Sequence, residues 1–85
     1  MNRKYNCRVC GLHVDDAPWG DNKTPSYEIC FCCGVEFGNE DYTVESTKRY
    51  RALRLKSGAK WFSPNRMPVD WNLKQQLENV PDIFK

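Results

Sequence analysis

Four of the five cysteines in this 85-residue chain occur as two pairs, each with two residues between the cysteines and a glycine directly after the second. The pairs are Cys7-Arg-Val-Cys10-Gly and Cys30-Phe-Cys-Cys33-Gly, with nineteen residues between them. A Cys-x2-Cys turn directs two sulfurs to one point, and two such turns supply the four thiolates of a closed tetrahedral zinc site. The spacing between the pairs is typical of four-cysteine zinc sites. We therefore predict that Cys7, Cys10, Cys30 and Cys33 bind one structural Zn²⁺ ion.

Two other residues near the pairs could take part in the same chemistry. Cys32 stands inside the second pair and is an alternative ligand. Outside the metal shell it is either a reactive thiol or a small hydrophobic residue, and we favour the small hydrophobic residue. His13 follows Cys10 by three residues and is an alternative ligand. Because four thiolates already close the shell, we expect His13 to lie outside it.

Length and charge limit what this chain can be. A domain of this size has a core that supplies little net stability, so a bound metal would decide whether the cysteine-bearing half folds. The net charge of +2, from 13 Lys and Arg against 11 Asp and Glu, does not by itself indicate nucleic acid or a membrane. The polar N-terminus predicts no signal peptide, and paired cysteines without export indicate a reducing compartment. We expect a cytoplasmic protein.

The elements that position the cysteines are predicted to be short. Three strands flank the pairs, and a loop rich in proline and other turn formers separates them. The strands are residues 12–14, 27–30 and 35–37, and the loop is residues 15–26. We predict one domain over residues 1–85, with a zinc ribbon over residues 1–38 and a helical extension over residues 39–85 packed on it.

Two helices are predicted in the extension. The first covers residues 43–56, with Thr43 or Ser46 as N-cap and Gly58 after its end. Its apolar residues lie on two nearly opposite faces, which predicts that the helix packs against two neighbouring parts of the chain. One face carries Val44, Ala52 and Leu55, and the other carries Tyr50 and Leu53. The second covers residues 69–79, with an apolar stripe and a stop at Pro81. The stripe consists of Val69, Leu73, Leu77 and Val80. The predicted fold class is a small α+β protein: a metal-bound zinc ribbon with short antiparallel strands, followed by two helices.

Two family resemblances support the ribbon. Cys7-x2-Cys10-Gly-Leu and Cys30-x2-Cys33-Gly-Val resemble the paired knuckles of rubredoxins, which implies an iron electron carrier as an alternative. About fifty residues after the second pair have no counterpart in rubredoxins, and the loop between the pairs is shorter than theirs, so zinc is favoured.

The second resemblance covers about residues 5–45. The segment Ser-Tyr-Glu-Ile-Cys-Phe-Cys-Cys at 26–33, with Glu40-Asp41 after it, resembles the downstream element of small bacterial CPCC-type cysteine-rich proteins. The first pair differs, because Arg8 and Val9 stand between its cysteines. The resemblance implies a zinc-ribbon-like protein without assigned catalysis, and the metal role carries over to the two cysteine pairs. Some such proteins accompany bacterial toxins.

The sequence favours binding over catalysis. A single histidine and a closed metal shell leave no assembled acid, base and nucleophile, so no enzyme and no small-molecule substrate are expected. Aromatic residues and arginine are the usual anchors of protein interfaces. We predict noncovalent binding to another protein, with an immunity or antitoxin-like inhibitor as one form. The candidate contacts are Trp19, Glu40, Asp41, Arg51, Arg54 and Trp71. A nucleic-acid-binding ribbon is the alternative, and no membrane is expected.

Overall fold

The computed structural model describes residues 5–20 and 23–85. It is a small α+β structure with one two-stranded antiparallel sheet and two α-helices. Strands β1 (Trp19–Gly20) and β2 (Thr24–Pro25) pair with Trp19 opposite Pro25 and Gly20 opposite Thr24. Helices α1 (Val44–Lys56) and α2 (Leu73–Leu77) follow, with 3₁₀ turns at Pro64–Arg66 and Asp82–Phe84. No helix among the described residues is long and apolar enough to cross a membrane.

The sheet lies where a loop was predicted. Residues 15–26 contain β1 and β2, whereas the three predicted strands are reduced to the isolated bridges Asn6 with His13 and Ile29 with Glu36. Each bridge lies beside a cysteine turn, and Tyr27, at φ 62°, leaves the extended conformation that a longer ladder past the second bridge would need. The start of the predicted ribbon at residues 1–4, and Asp21 beside the Trp19 strand, lie outside the described residues.

Helix α1 begins and ends as its caps predict. The Thr43 hydroxyl accepts from the backbone N–H of Ser46, and the Ser46 hydroxyl accepts from the backbone N–H of Thr43, which forms a reciprocal capping box. Glu45 in the first turn and Lys56 in the last complement the helix dipole. Gly58, at φ 100°, follows the helix in the left-handed region that glycine adopts readily.

Of the predicted apolar flanks of α1, Tyr50 packs against the core, but the two leucines do not. Leu53 is 59% exposed, Leu55 is also exposed, and the one fully buried residue of the helix is Thr47. The helix contacts the cysteine-rich core mainly through Tyr50, Arg51 and Arg54, whose side chains end in polar groups. Its position is therefore set by hydrogen bonds rather than by an apolar stripe.

The second predicted helix is much shorter than its apolar pattern indicated. Helix α2 begins only after Asn72, whose side-chain oxygen accepts from the backbone N–H of Gln75, and its last helical residue is Leu77. Val69 is fully exposed, so the predicted stripe loses its first member. Asn72 is a strong N-cap residue, and it starts the helix one residue after Trp71 turns back onto the core.

The core of the described chain is built around sulfur. All five cysteines are buried, and they cluster with a few apolar side chains. Those side chains are Val9, Val35, Phe37 and Trp61, with Leu12, Tyr50 and Trp71 packed against them. Phe62, which follows the buried Trp61, is mostly exposed.

Candidate metal centre

The two cysteine turns have the same backbone hydrogen bonds. In the first knuckle, residues 7–11, the N–H of Cys7 donates to Leu12 and the N–H of Gly11 donates to Cys7. In the second knuckle, residues 30–34, the N–H of Cys30 donates to Val35 and the N–H of Gly34 donates to Cys30. The glycines have φ of 84° and 79°, which other residues rarely adopt. Each knuckle therefore presents its two sulfurs in the same way.

The four sulfurs of these knuckles meet in one buried cluster. The Sγ atoms of Cys7, Cys10, Cys30 and Cys33 all lie within 4.8 Å of one another. Cys7 Sγ lies 3.7 Å from Cys33 Sγ, and Cys10 Sγ lies 3.7 Å from Cys30 Sγ. A tetrahedral ion with metal–sulfur bonds near 2.3 Å has sulfur–sulfur edges of about 3.8 Å. The four cysteines are therefore close enough to bind a metal ion, with the spacing of a tetrahedral site.

The thiols of the cluster cannot all ionise without a cation. Burial raises the pKa of Cys7, and hydrogen bonding with Cys30 raises the pKa of Cys10. Hydrogen bonding with Cys10 raises the pKa of Cys33, whereas the pKa of Cys30 is lowered because Cys10 and its neighbours donate to its sulfur. Negative charge thus concentrates on one sulfur. A divalent ion that binds all four thiolates must displace the remaining protons.

Cys32 is buried beside the cluster but is not one of the four. Its Sγ accepts from Arg54 Nη2 at 3.2 Å and from Gln76 Nε2 at 3.1 Å. Hydrogen bonding with Cys10 and with Gln76, together with the charge of Arg54, lowers the pKa of Cys32 to about 7 against the opposing effect of burial. The side chain is buried as predicted, but it acts as a polar acceptor that joins helices α1 and α2 to the second knuckle, not as a small hydrophobic residue.

His13 also lies outside the sulfur cluster. It is exposed, and its Nδ1 lies 3.2 Å from the side-chain oxygen of Asn6. The group of described residues that could hold a metal consists of the four paired cysteines alone.

The two arginines predicted to contact a partner are used inside the fold. Arg51 donates from Nε to the carbonyl of Val9 at 2.6 Å, and from Nη2 to the carbonyls of Arg8 at 2.9 Å and Phe84 at 2.7 Å. Arg54 donates to Cys32 Sγ and to the carbonyl of Ala59. Arg51 therefore joins the first knuckle to the C-terminal turn, and Arg54 joins α1 to the second knuckle.

Trp19 and Asp41 form a buried pair. Trp19 is 5% exposed, and its Nε1 donates to Asp41 Oδ2 at 2.9 Å. The other carboxylate oxygen of Asp41 accepts from the backbone N–H of Gly38 at 2.7 Å. This placement corrects the expectation that these two side chains stand free for a partner, because the carboxylate is needed to satisfy two buried donors.

Glu40 and Trp71 also have contacts within the chain. Glu40 accepts from the backbone N–H of Glu36 and from the side chain of Asn39. Trp71 packs edge-on against Trp61 with ring centroids 5.6 Å apart, and its Nε1 donates to Gln76 Oε1 at 2.7 Å. Both side chains are partly exposed, so the prediction that they contact a partner stays a prediction.

Sequence reasoning missed two residues that hold the site together. The guanidinium of Arg8 lies between the rings of Trp19, at 4.0 Å, and Phe84, at 4.4 Å, and donates to the carbonyl of Asp41. The Gln76 amide donates to the Cys10 carbonyl and to Cys32 Sγ, so it bridges both knuckles. An arginine inside the first cysteine pair was the one visible signal. Nothing in the local pattern distinguishes Gln76 from Gln75.

The metal-site assignment rests on this geometry. No family model, no curated protein and no solved structure matched the chain. The resemblances to rubredoxins and to CPCC-type proteins therefore stay predictions, and the four converging sulfurs are the evidence for what the site can bind.

Proposed function

We propose that this chain is a structural-zinc protein that acts by noncovalent binding to another protein. The observation that carries the zinc assignment is the cluster of four buried sulfurs, which lie within 4.8 Å of one another and include two pairs that are 3.7 Å apart. Four thiolates fill the shell of a tetrahedral zinc ion and leave no position for a substrate or an activated water. The ion then stabilises the fold, and we assign no catalysis to it.

Zinc is tested by metal analysis of the purified chain. We expect one zinc per chain and no visible absorption, because zinc has a filled d shell. A sulfur tetrahedron also suits iron. A red protein with thiolate-to-iron bands after growth in iron-replete medium would replace zinc by iron and support an electron carrier.

The contacts of two arginines on helix α1 favour protein binding over nucleic-acid binding. Arg51 and Arg54 donate to carbonyls and to sulfur within the fold, which leaves their guanidinium groups fewer donors for phosphates. Exposed apolar side chains remain elsewhere on the surface, among them Tyr27, Ile29 and Phe31. Interfaces between proteins use such side chains. The resemblance to CPCC-type proteins extends the proposal to an inhibitor of the immunity or antitoxin kind.

The same proposal includes a cytoplasmic location. All five cysteines are free thiols, which persist in a reducing compartment. A tagged pull-down from native lysate, with and without nuclease, tests the class of partner. A protein that co-purifies stoichiometrically after nuclease treatment supports the proposal, whereas a complex that depends on nucleic acid and is lost at moderate salt would contradict it.

A further inference from the structure

A surface groove lies beside the second knuckle. It has a volume of about 480 Å³, and its apolar lining includes Tyr27, Ile29 and Phe31. These side chains are 65%, 46% and 41% exposed. A small domain seldom leaves three large apolar side chains together in water, and such patches mark interaction sites.

Carboxylates line the same groove. Asp15, Asp16 and Glu28 contribute to its walls, and no lysine or arginine does so among residues 5–20 and 23–85. The nearby cation is Arg66, which lies over the Phe31 ring at 4.0 Å and lines a neighbouring cavity of about 210 Å³. The groove lining therefore combines apolar side chains with three carboxylates, which complements a basic ligand that also carries apolar side chains.

Tyr27 is held in an unusual backbone conformation at this groove. Its φ is 62°, a region that costs a bulky residue about 1–3 kcal/mol. The backbone N–H of Tyr27 donates to Phe37, and its ring lies against Gly38, where an added Cβ would approach Tyr27 Cε1 to 3.0 Å. The fold thus tolerates strain that keeps an exposed aromatic ring beside the groove, and strain of this kind concentrates at functional sites.

We propose that this groove is the docking site for a basic peptide segment of a partner protein. Apolar side chains of the segment contact Tyr27, Ile29 and Phe31. Its lysines or arginines pair with Asp15, Asp16 and Glu28. The proposal rests on the protein-binding function above and names its surface and ligand chemistry. A drug-sized small molecule would have most of its surface enclosed by its pocket. The exposure of the lining residues here instead suits an extended chain that lies along the surface.

The probe is a set of three short synthetic peptides with the same leucine and phenylalanine content, whose remaining positions are lysine, serine or glutamate. Binding to the zinc-loaded, full-length chain is followed by amide chemical shifts. We expect the lysine peptide to bind about tenfold or more tightly than the serine peptide and to lose affinity with added salt. We expect the amide chemical shifts that change on addition of the lysine peptide to belong to residues 14–16 and 27–31. Equal binding of the glutamate peptide, or shifts that map elsewhere, would overturn the proposal.

Two matched pairs of variants test the contacts. Phe31→Ser should weaken the lysine peptide about tenfold or more, whereas Leu53→Ser, which removes a comparably exposed apolar side chain from α1, should not. A triple variant, Asp15→Asn with Asp16→Asn and Glu28→Gln, should reduce the preference for lysine over serine, whereas Glu45→Gln on α1 should preserve it. Zinc content and melting temperature show that each variant is folded.

The same variants separate this proposal from the broader one. If a native partner still binds the Phe31→Ser chain and the triple variant at full strength, protein binding stands and this groove is wrong as its site. If the groove instead mediates self-association that Phe31→Ser abolishes, a second copy of the chain is the occupant and the basic-segment proposal fails. If the lysine peptide binds as expected while lysate yields only nucleic acid, the broader proposal fails alone.

Discussion

The first knuckle lies under the C-terminal part of the chain, whereas the second carries Phe31 at the protein surface. In the first knuckle Arg8 is stacked between Trp19 and Phe84, and Arg51 binds the carbonyls of Arg8 and Val9. Phe31 occupies the position in the second knuckle that Arg8 occupies in the first. The backbone hydrogen bonds of the two turns are the same, so the difference arises from what covers them. The sulfur cluster needs the backbone of both turns, and the rest of the fold leaves Phe31 of the second turn exposed.

The largest expected effect is shared by both knuckles, because the metal joins them. Removing zinc with a strong chelator should unfold at least residues 5–35, since structural zinc in small domains contributes about 10–16 kcal/mol of apparent binding free energy. Near-UV and far-UV circular dichroism and amide spectra check this. Cys7→Ser and Cys30→Ser should lose the metal alike, and Cys32→Ser is the control that should retain it. Spectra unchanged by the chelator would contradict the prediction.

Changing the glycine of each knuckle to alanine should destabilise the protein by different amounts. A Cβ on Gly11 would meet the backbone carbonyl oxygen of Gln76 at a distance that real Cβ atoms do not show, and Val80 N at 3.0 Å. A Cβ on Gly34 would meet the Phe62 side chain at 3.0 Å, and that side chain is exposed and can move.

Both glycine variants incur left-handed backbone strain, but only the first also displaces backbone. We expect Gly11→Ala to destabilise the zinc-loaded chain by about 3 kcal/mol or more and Gly34→Ala by about 1–2 kcal/mol. Denaturant unfolding of the zinc-loaded proteins measures both. Equal losses in the free energy of unfolding would mean that neighbouring backbone packs equally closely on both knuckles.

Replacing Arg51, which contacts the first knuckle, should also cost more stability than replacing Arg66, which contacts the second. Arg51→Met removes a charged donor from three carbonyls of the first knuckle and the C-terminal turn, with an expected loss of about 2–4 kcal/mol. Arg66→Met removes a cation that only stacks on exposed Phe31, with an expected loss of about 0.5 kcal/mol. Arg51→Lys should recover little of the lost stability, because an ammonium group lacks the planar set of donors of a guanidinium. An Arg66 variant that lost as much as the Arg51 variant would refute this asymmetry.

A smaller loss than that of Arg51→Met is expected from a change at the residue before the second ligand of the second knuckle. Val9 and Cys32 occupy matching positions, and both are fully buried. Cys32→Val should keep the metal and cost about 1–2 kcal/mol, because Arg54 and Gln76 would lose a shared acceptor. Metal content and denaturant midpoint report the two effects separately. Loss of zinc from this variant would assign Cys32 to the metal shell after all.

Local patterns predicted the features that depend on neighbouring residues. The four-cysteine set followed from matched spacing with a glycine after each pair, and the start of α1 followed from Thr43. The three predicted strands and the length of the second helix did not hold. Strand propensity at residues 27–30 could not reveal that Tyr27 would adopt a φ of 62°, and an apolar stripe from Val69 could not show that Asn72 would cap a shorter helix.

Sequence alone determined which atoms could bind a metal, because ligand type and spacing are properties of short segments. Tertiary structure decided how the remaining residues are used. Trp19, Asp41, Arg51 and Arg54 look like interface residues in the sequence, yet each forms hydrogen bonds within the fold. A sulfur-rich core has little apolar area with which to hold a helix, so long-range polar contacts position it. Those contacts join residues far apart in the chain, and no local pattern could predict them.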